Sequence, residues 1–174
     1  VEEDIRHARR SLTDDELARL IQSAERGPTR SEMPGPLRAM AYRVAAATGF
    51  RADELRKLTP ESFRLTGPEP SVVLHASATK NRRTADQPIP MALAPVLAAW
   101  LAGKPSRVSV LPLHHETARA MRADLAAAGI EYETNEGVAD FHSLRGYYVS
   151  ALVRSGATIN EVQTLARHAK PQTT

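Results

Sequence analysis

The chain has no cysteine. Without thiols it can build no thiolate zinc site, no iron–sulfur cluster and no cysteine nucleophile, and the lack of a disulfide framework fits an intracellular setting. Long apolar runs are also missing. No stretch approaches the roughly 20 residues that span a bilayer, and the basic N-terminal stretch lacks the apolar segment of a signal peptide, so a soluble, non-membrane protein is expected. Internal repeats and low-complexity tracts are absent. Lysine is scarce: Lys57, Lys80, Lys104 and Lys170 are the only ones among 23 basic residues, and the rest are arginine.

What remains is a globular composition. With 174 residues, 42% hydrophobic and 25% charged, the chain is long enough for one domain whose core needs no disulfide or metal staple. Net charge is +3 and the isoelectric point about 9.5. Arginine forks onto phosphate oxygens as a lysine point charge cannot, so the bias favours a phosphate-rich partner. A GC-rich genome gives the same excess of arginine and alanine, so charge alone does not choose between a nucleic-acid partner and genome composition.

Residues 1–12, with Arg6, Arg9 and Arg10 among acids, read as a solvated lead-in or linker. Thr13 and Glu16 form a capping-box pattern ahead of Leu17, Leu20 and Ile21, which predicts a first helix to about Glu25. Apolar positions at Leu37, Met40, Ala41, Val44 and Ala47 predict a second from Pro36 to about Thr48. Gly49-Phe50 interrupts it, and a helix resumes over Arg51 to Leu58. Short strands are expected at Phe63 to Leu65, Ser71 to Ser77 and Gln87 to Pro90, the last two joined by a polar hairpin. Helices are expected at about 92 to 102, 116 to 128, 143 to 155 and 158 to 167, with Gly129 and Gly156 as stops. The fold class is mostly α (α+β), helical with one small three-stranded antiparallel sheet.

Several polar residues sit at element boundaries, and each has two readings. Arg51 and Glu54, three apart on one helix face, make either a carboxylate-oriented phosphate clamp or a surface ion pair worth roughly a few tenths of a kcal/mol. Lys80, in the hairpin Thr79-Lys80-Asn81-Arg82-Arg83-Thr84, is either a mobile acid able to protonate a leaving oxygen or a solvated side chain. Arg82 and Arg83 make that hairpin a DNA contact under both readings. In Asp140-Phe141-His142-Ser143-Leu144-Arg145, His142 falls at a helix start that favours an anion, with Arg145 one turn later. The alternative there is a capping histidine and an exposed arginine. His168 ends the last helix, where a histidine ordinarily satisfies the dipole. His114 and His115, with Glu116 beside them, are adjacent and so do not share a helix face, which makes a zinc reading weak. Tyr147 and Tyr148 read as packing or groove residues.

Order and spacing decide what single residues do not. Thr48-Gly49-Phe50-Arg51-Ala52-Asp53-Glu54-Leu55, with Leu58-Thr59, resembles the first arginine motif of the tyrosine recombinases, the phage-integrase family. His142-Ser143-Leu144-Arg145 resembles the family's His-x-x-Arg motif. Gly156 through His168 resembles the following turn and the helix leading to the last histidine, and Lys80 lies in the hairpin where the family keeps its lysine. The resemblance covers about residues 12 to 174.

That resemblance implies the catalytic domain of a site-specific recombinase, acting on double-stranded DNA without metal or cofactor. A tyrosine would attack the phosphodiester to give a 3′-phosphotyrosyl link and a free 5′-hydroxyl. Arg51 and Arg145 would clamp the non-bridging oxygens, His142 and His168 would bond the phosphate or assist proton transfer, Lys80 would protonate the leaving oxygen, and Glu54 would support Arg51. It further implies a cytoplasmic, nucleoid-associated protein working as a tetramer on paired sites, the 174-residue piece itself being monomeric. Residues 1–12 would be the linker from a missing core-binding domain, and 13–174 a catalytic domain that stops before its tyrosine, so that the piece binds DNA without cleaving it. Two positions depart from the family: Gly146 stands where many members have a second histidine, and Arg167 replaces the glycine before the last one. A type IB topoisomerase and a non-catalytic Arg-rich DNA-binding module on the same fold remain the alternatives.

Overall fold

A computed structural model describes residues 8–79 and 83–167. Its helices are α1 (Asp14–Arg26), α2 (Gly35–Thr48), the single turn α3 (Ala52–Leu55), α4 (Leu93–Leu101), α5 (Thr117–Ala127), α6 (Ser143–Arg154) and α7 (Ile159–Ala166). Strands β1 (Phe63–Arg64), β2 (Ser71–Leu74) and β3 (Ala85–Pro88) form one antiparallel sheet in the order β1-β2-β3, and β4 (Glu133–Thr134) pairs with β5 (Gly137–Val138).

Thr13 starts α1 as its spacing predicts. Its hydroxyl accepts the Glu16 N–H at 3.1 Å while the Glu16 carboxylate accepts the Thr13 N–H at 2.9 Å, so two donors that a helix start leaves unpaired are satisfied together. Helix α2 is the central element. Leu37, Ala39, Met40, Ala41, Val44, Ala45 and Ala46 are all buried, and the alanines let α1 and α6 pack closely against it. Burying nearly all of α2 also buries Arg38, at 1% exposure, and the chain supplies its counter-charge from α5. Asp124 accepts from Arg38 Nε at 2.7 Å and Nη2 at 2.9 Å, from the Tyr42 hydroxyl at 2.8 Å and from Arg30 Nε at 3.1 Å.

Three expectations need correction. The helix expected over Arg51 to Leu58 lasts one turn. Lys57 and Leu58 donate to carbonyls three residues back, and Leu58, fully buried, accepts from Val110 at 2.9 Å, so core packing pulls the chain out of α geometry. Strand β2 ends at Leu74 rather than Ser77, because Ala76–Ala78 turns into a short 3-10 helix, and β3 starts at Ala85, two residues early. Residues 8–12 are not a solvated lead-in. Arg9 forms a bridge to Val138, Leu12 is buried, and the buried Arg10 donates to Glu16 and to the Glu131 carbonyl at 2.6 Å. The β4–β5 hairpin that receives Arg9 has no strand-length signal of its own.

Candidate active site

The site grows from the end of α2. Gly49 takes a left-handed conformation (φ 67°), and its N–H donates to Ala45 O at 2.8 Å, which closes the helix. Thr48 donates to the Val44 carbonyl at 2.7 Å and accepts the Phe50 N–H at 3.2 Å, so the turn is fixed on both sides. Phe50 is buried, and Arg51 emerges just before α3. The Arg51 N–H donates to Glu54 Oε2 at 2.9 Å, and its guanidinium stands 3.6 Å from the same carboxylate. Glu54 is only 3% exposed, so this is not a surface pair. Burial alone would raise its pKa, yet hydrogen bonds from Arg167, the Arg51 N–H and the charges of both arginines hold it below the ordinary value.

The second wall is the start of α6. Asp140 and Ser143 cap it reciprocally, each side chain accepting the other's N–H at 3.1 Å. His142 therefore does no capping, and the structure removes that reading of it. The residue is exposed overall, but burial of part of its ring, together with the charges of Arg9, Arg145 and Arg51, pushes its pKa below the usual imidazole value. Arg9 is brought here by its 2.7 Å ion pair with Asp140.

Arg145 is buried rather than exposed, at 5%. Its Nη1 donates to Gly49 O at 2.8 Å and its Nη2 to Ala166 O, so one guanidinium joins the carbonyl-rich ends of α2 and α7. Burial, then the charges of Arg51 and Arg167, lower its pKa to about 10. Two of its five N–H donors are spent on those carbonyls, which leaves others for a ligand.

Arg167 closes α7 in a left-handed conformation (φ 55°), so it takes the backbone geometry that a glycine would otherwise supply. Its side chain turns inward, donating to Glu54 Oε1 at 2.9 Å and Oε2 at 2.8 Å, with the guanidinium 4.9 Å from the Phe50 ring centroid. Sequence reading missed this contact, which joins positions 113 residues apart and leaves no local pattern.

Phe50, Arg51, Ala52, Thr117, Phe141, His142 and Arg145 line a cleft of about 160 Å³. Arg51, Glu54, His142 and Arg145 are thus brought together. Lys80, Arg82 and His168 lie outside the described residues. Arg83 is exposed, and its carbonyl accepts the Thr79 hydroxyl at 2.8 Å. A larger groove of about 580 Å³ opens between α1, α2, β3 and α6, but its lining is apolar apart from Arg43 and small polar groups. Tyr147 and Tyr148 line that groove, as expected of them. The hydroxyls of Tyr42, Tyr147 and Tyr148 are bonded to Asp124, Asp14 and Gln87, and among the described residues no tyrosine lines the cleft. Among the described residues, no three metal-ligating side chains gather, and no helix is long and apolar enough to cross a membrane.

The family model for the phage integrase family matches residues 10–174. The chain belongs to the phage integrase family. Its fold is that of the tyrosine recombinase catalytic domain. The XerH site-specific recombinase bound to its difH substrate superposes with a TM-score of 0.70 at 16% identity, covering 99% of this chain and 51% of that one. The catalytic domain of bacteriophage HP1 integrase gives 0.67 at 19% identity over 95% of this chain and 84% of that one. XerA recombinase gives 0.70 at 22% identity over 97% and 59%. This integrase-family chain therefore spans about half the length of XerH. No curated protein matches it significantly.

Proposed function

We propose that the protein of which this chain is the catalytic domain carries out site-specific recombination of double-stranded DNA, through a covalent 3′-phosphotyrosyl intermediate. The observation that carries this reading is the convergence of Arg51, from the end of α2, with His142 and Arg145, from the start of α6, on one small cleft. A phosphodiester fits such a cleft: planar forks meet its non-bridging oxygens, and a half-desolvated imidazole adds a hydrogen bond. The Arg145 guanidinium is held by two carbonyls before the reaction, so it opposes the extra negative charge of the pentacoordinate transition state without reorganising.

In this reading Arg51 and Arg145 clamp the phosphate, and His142 bonds it or moves a proton. Lys80 on the hairpin protonates the departing 5′ oxygen and His168 joins the phosphate from the end of α7, with Arg82 and Arg83 contacting the DNA backbone. The bond energy is kept in the phosphotyrosyl ester, so the scheme needs no metal or nucleotide cofactor. The nucleophilic tyrosine comes from outside the described residues. A tetramer on paired sites performs the exchange, and this chain alone binds DNA as a monomer.

The test uses the full-length protein and a nicked DNA site that traps the covalent adduct. An adduct that survives denaturation and is lost on Arg145→Ala supports the reading, whereas adduct formation by that variant at the wild-type rate overturns it. Plasmid relaxation on any sequence would instead favour a type IB topoisomerase. DNA binding with no adduct under any condition would favour a non-catalytic module.

A further inference from the structure

Arg167 is the least expected residue of the site. A non-glycine residue in the left-handed region is strained, typically by about 1–2 kcal/mol, and such strain persists where other contacts over-determine it. Here the contacts are plain: two short bonds to Glu54, the Phe50 ring beneath the guanidinium, and a side chain only 9% exposed. Its Nε is buried with no hydrogen-bond partner among the described residues, a second cost that a surface rotamer would avoid.

The carboxylate at the centre has two claimants. Glu54 gives both its oxygens to Arg167, at 2.9 and 2.8 Å, while the Arg51 guanidinium stands off at 3.6 Å with 38% of its side chain exposed. A buried carboxylate deprived of a bidentate partner draws in the nearest cation, because an uncompensated charge in the interior is expensive. The nearest one left would be Arg51. Two guanidinium groups thus share one carboxylate, and the surplus positive charge, with that of Arg145, faces the cleft.

We propose that Arg167 is a positioning residue: by taking both oxygens of Glu54 it holds the Arg51 guanidinium to a loose 3.6 Å pairing instead of letting it close onto the carboxylate, and so leaves it available to a DNA phosphate. This rests on the phosphate-clamp reading of Arg51. It assigns Arg167 no contact with DNA. With glycine at 167, Arg51 swings onto Glu54 and one phosphate contact is lost, although no residue facing the DNA has been changed.

The experiment measures binding of this chain to a duplex DNA oligonucleotide between about 50 and 200 mM salt, where each phosphate contact contributes about 0.9 to the slope of log affinity against log salt. Arg51→Ala is expected to reduce the slope by about 0.9. Arg167→Gly, which relieves the backbone strain, is expected to reduce it equally, and to add nothing when combined with Arg51→Ala. Arg167→Gly with Glu54→Gln is expected to restore it, because the amide no longer captures Arg51, and Arg167→Lys is expected to retain most of it. Restoration by Glu54→Gln also shows that the loss is not one of folding. If Arg167→Gly leaves the slope unchanged while Arg51→Ala lowers it, the positioning role is wrong. If Glu54→Gln fails to restore the slope of a folded double variant, Arg167 acts on DNA directly and the proposal fails. A slope unmoved by Arg51→Ala refutes the clamp itself.

Discussion

Gly49 is where the fold and the site meet, and replacing it has a calculable effect. Its φ of 67° is left-handed, so alanine there costs about 1–2 kcal/mol in backbone strain alone. A Cβ would also lie 2.5 Å from Tyr148 Cδ1. That ring cannot yield cheaply, since Tyr148 is buried and its hydroxyl donates to Gln87 Oε1 at 3.0 Å. Forced overpacking adds about 1–3 kcal/mol, for a total of roughly 2–5. Gly129 provides the control: its φ of 66° is nearly the same, but the nearest atom to an added Cβ is the mobile tip of Arg19 at 4.0 Å. Gly129→Ala therefore bears the strain without the clash. Thermal unfolding measures both, and in a domain of this size about 1 kcal/mol corresponds to about 2–4 °C. Gly49→Ala is expected to lower Tm by about 4–20 °C, against about 2–8 °C for Gly129→Ala. Because Gly49 O accepts from Arg145, the first variant should also weaken DNA binding. Equal shifts for the two variants would refute the steric argument.

Other expectations follow from the buried charges. Asp124→Ala strands the buried Arg38 and is expected to destabilise by about 3–5 kcal/mol in urea unfolding, much of it recovered when Arg38→Met is added. An unchanged midpoint for the single variant would show that the pair is dispensable. Glu54 has a folded pKa below its ordinary 4.5, so its contribution to stability is complete above 4.5 and is lost as pH falls through the folded value. Acid titrations of stability should lose that part of their slope in Glu54→Gln. His142 is expected to titrate below 6.5 by NMR, staying neutral at pH 7, and its midpoint should rise toward 6.5 in Arg9→Gln, which removes the cation that acts on it most after burial itself. A midpoint at or above 6.5 in the unaltered protein would contradict the partial burial of the ring.

Legibility in the sequence followed the range of the interaction that fixes each feature. The capping box at Thr13 acts over three residues, and α1 starts where the pattern puts it; the last helix, expected from about 158, begins at Ile159 behind a capping box at Thr158. Gly129 and Gly156 stop their helices for an equally local reason, each taking a positive φ. The one-turn length of α3 was not legible, because Leu58 is held by Val110, 52 positions away, and no periodicity records that. The lead-in failed likewise. Arg9 and Arg10 look like solvated charge in a charged stretch, and their partners Asp140, Val138 and Glu131 lie more than 120 residues on.

The same distinction explains why the motif arginines were found and their true environments were not. Residue type and spacing mark Arg51 and Arg145 as candidates, but taken alone they left a surface ion pair and an exposed arginine open beside the phosphate-binding reading. Burial of Arg145 follows from what its fork must reach: Gly49 O lies 96 positions before it and Ala166 O 21 after, so the side chain can serve both only from inside the junction of α2, α6 and α7. A guanidinium so placed ties the end of α2 to the end of α7, and any ligand that draws on its remaining donors also bears on that junction. Loss of Arg145 should therefore loosen Arg167 and, through Glu54, disturb Arg51. Arg145→Lys should separate the two duties, since an ammonium keeps the charge but cannot fork between two carbonyls. Its expected signature is a lower Tm together with a weaker salt dependence of DNA binding, whereas a full salt slope at wild-type Tm would mean that neither carbonyl bond matters.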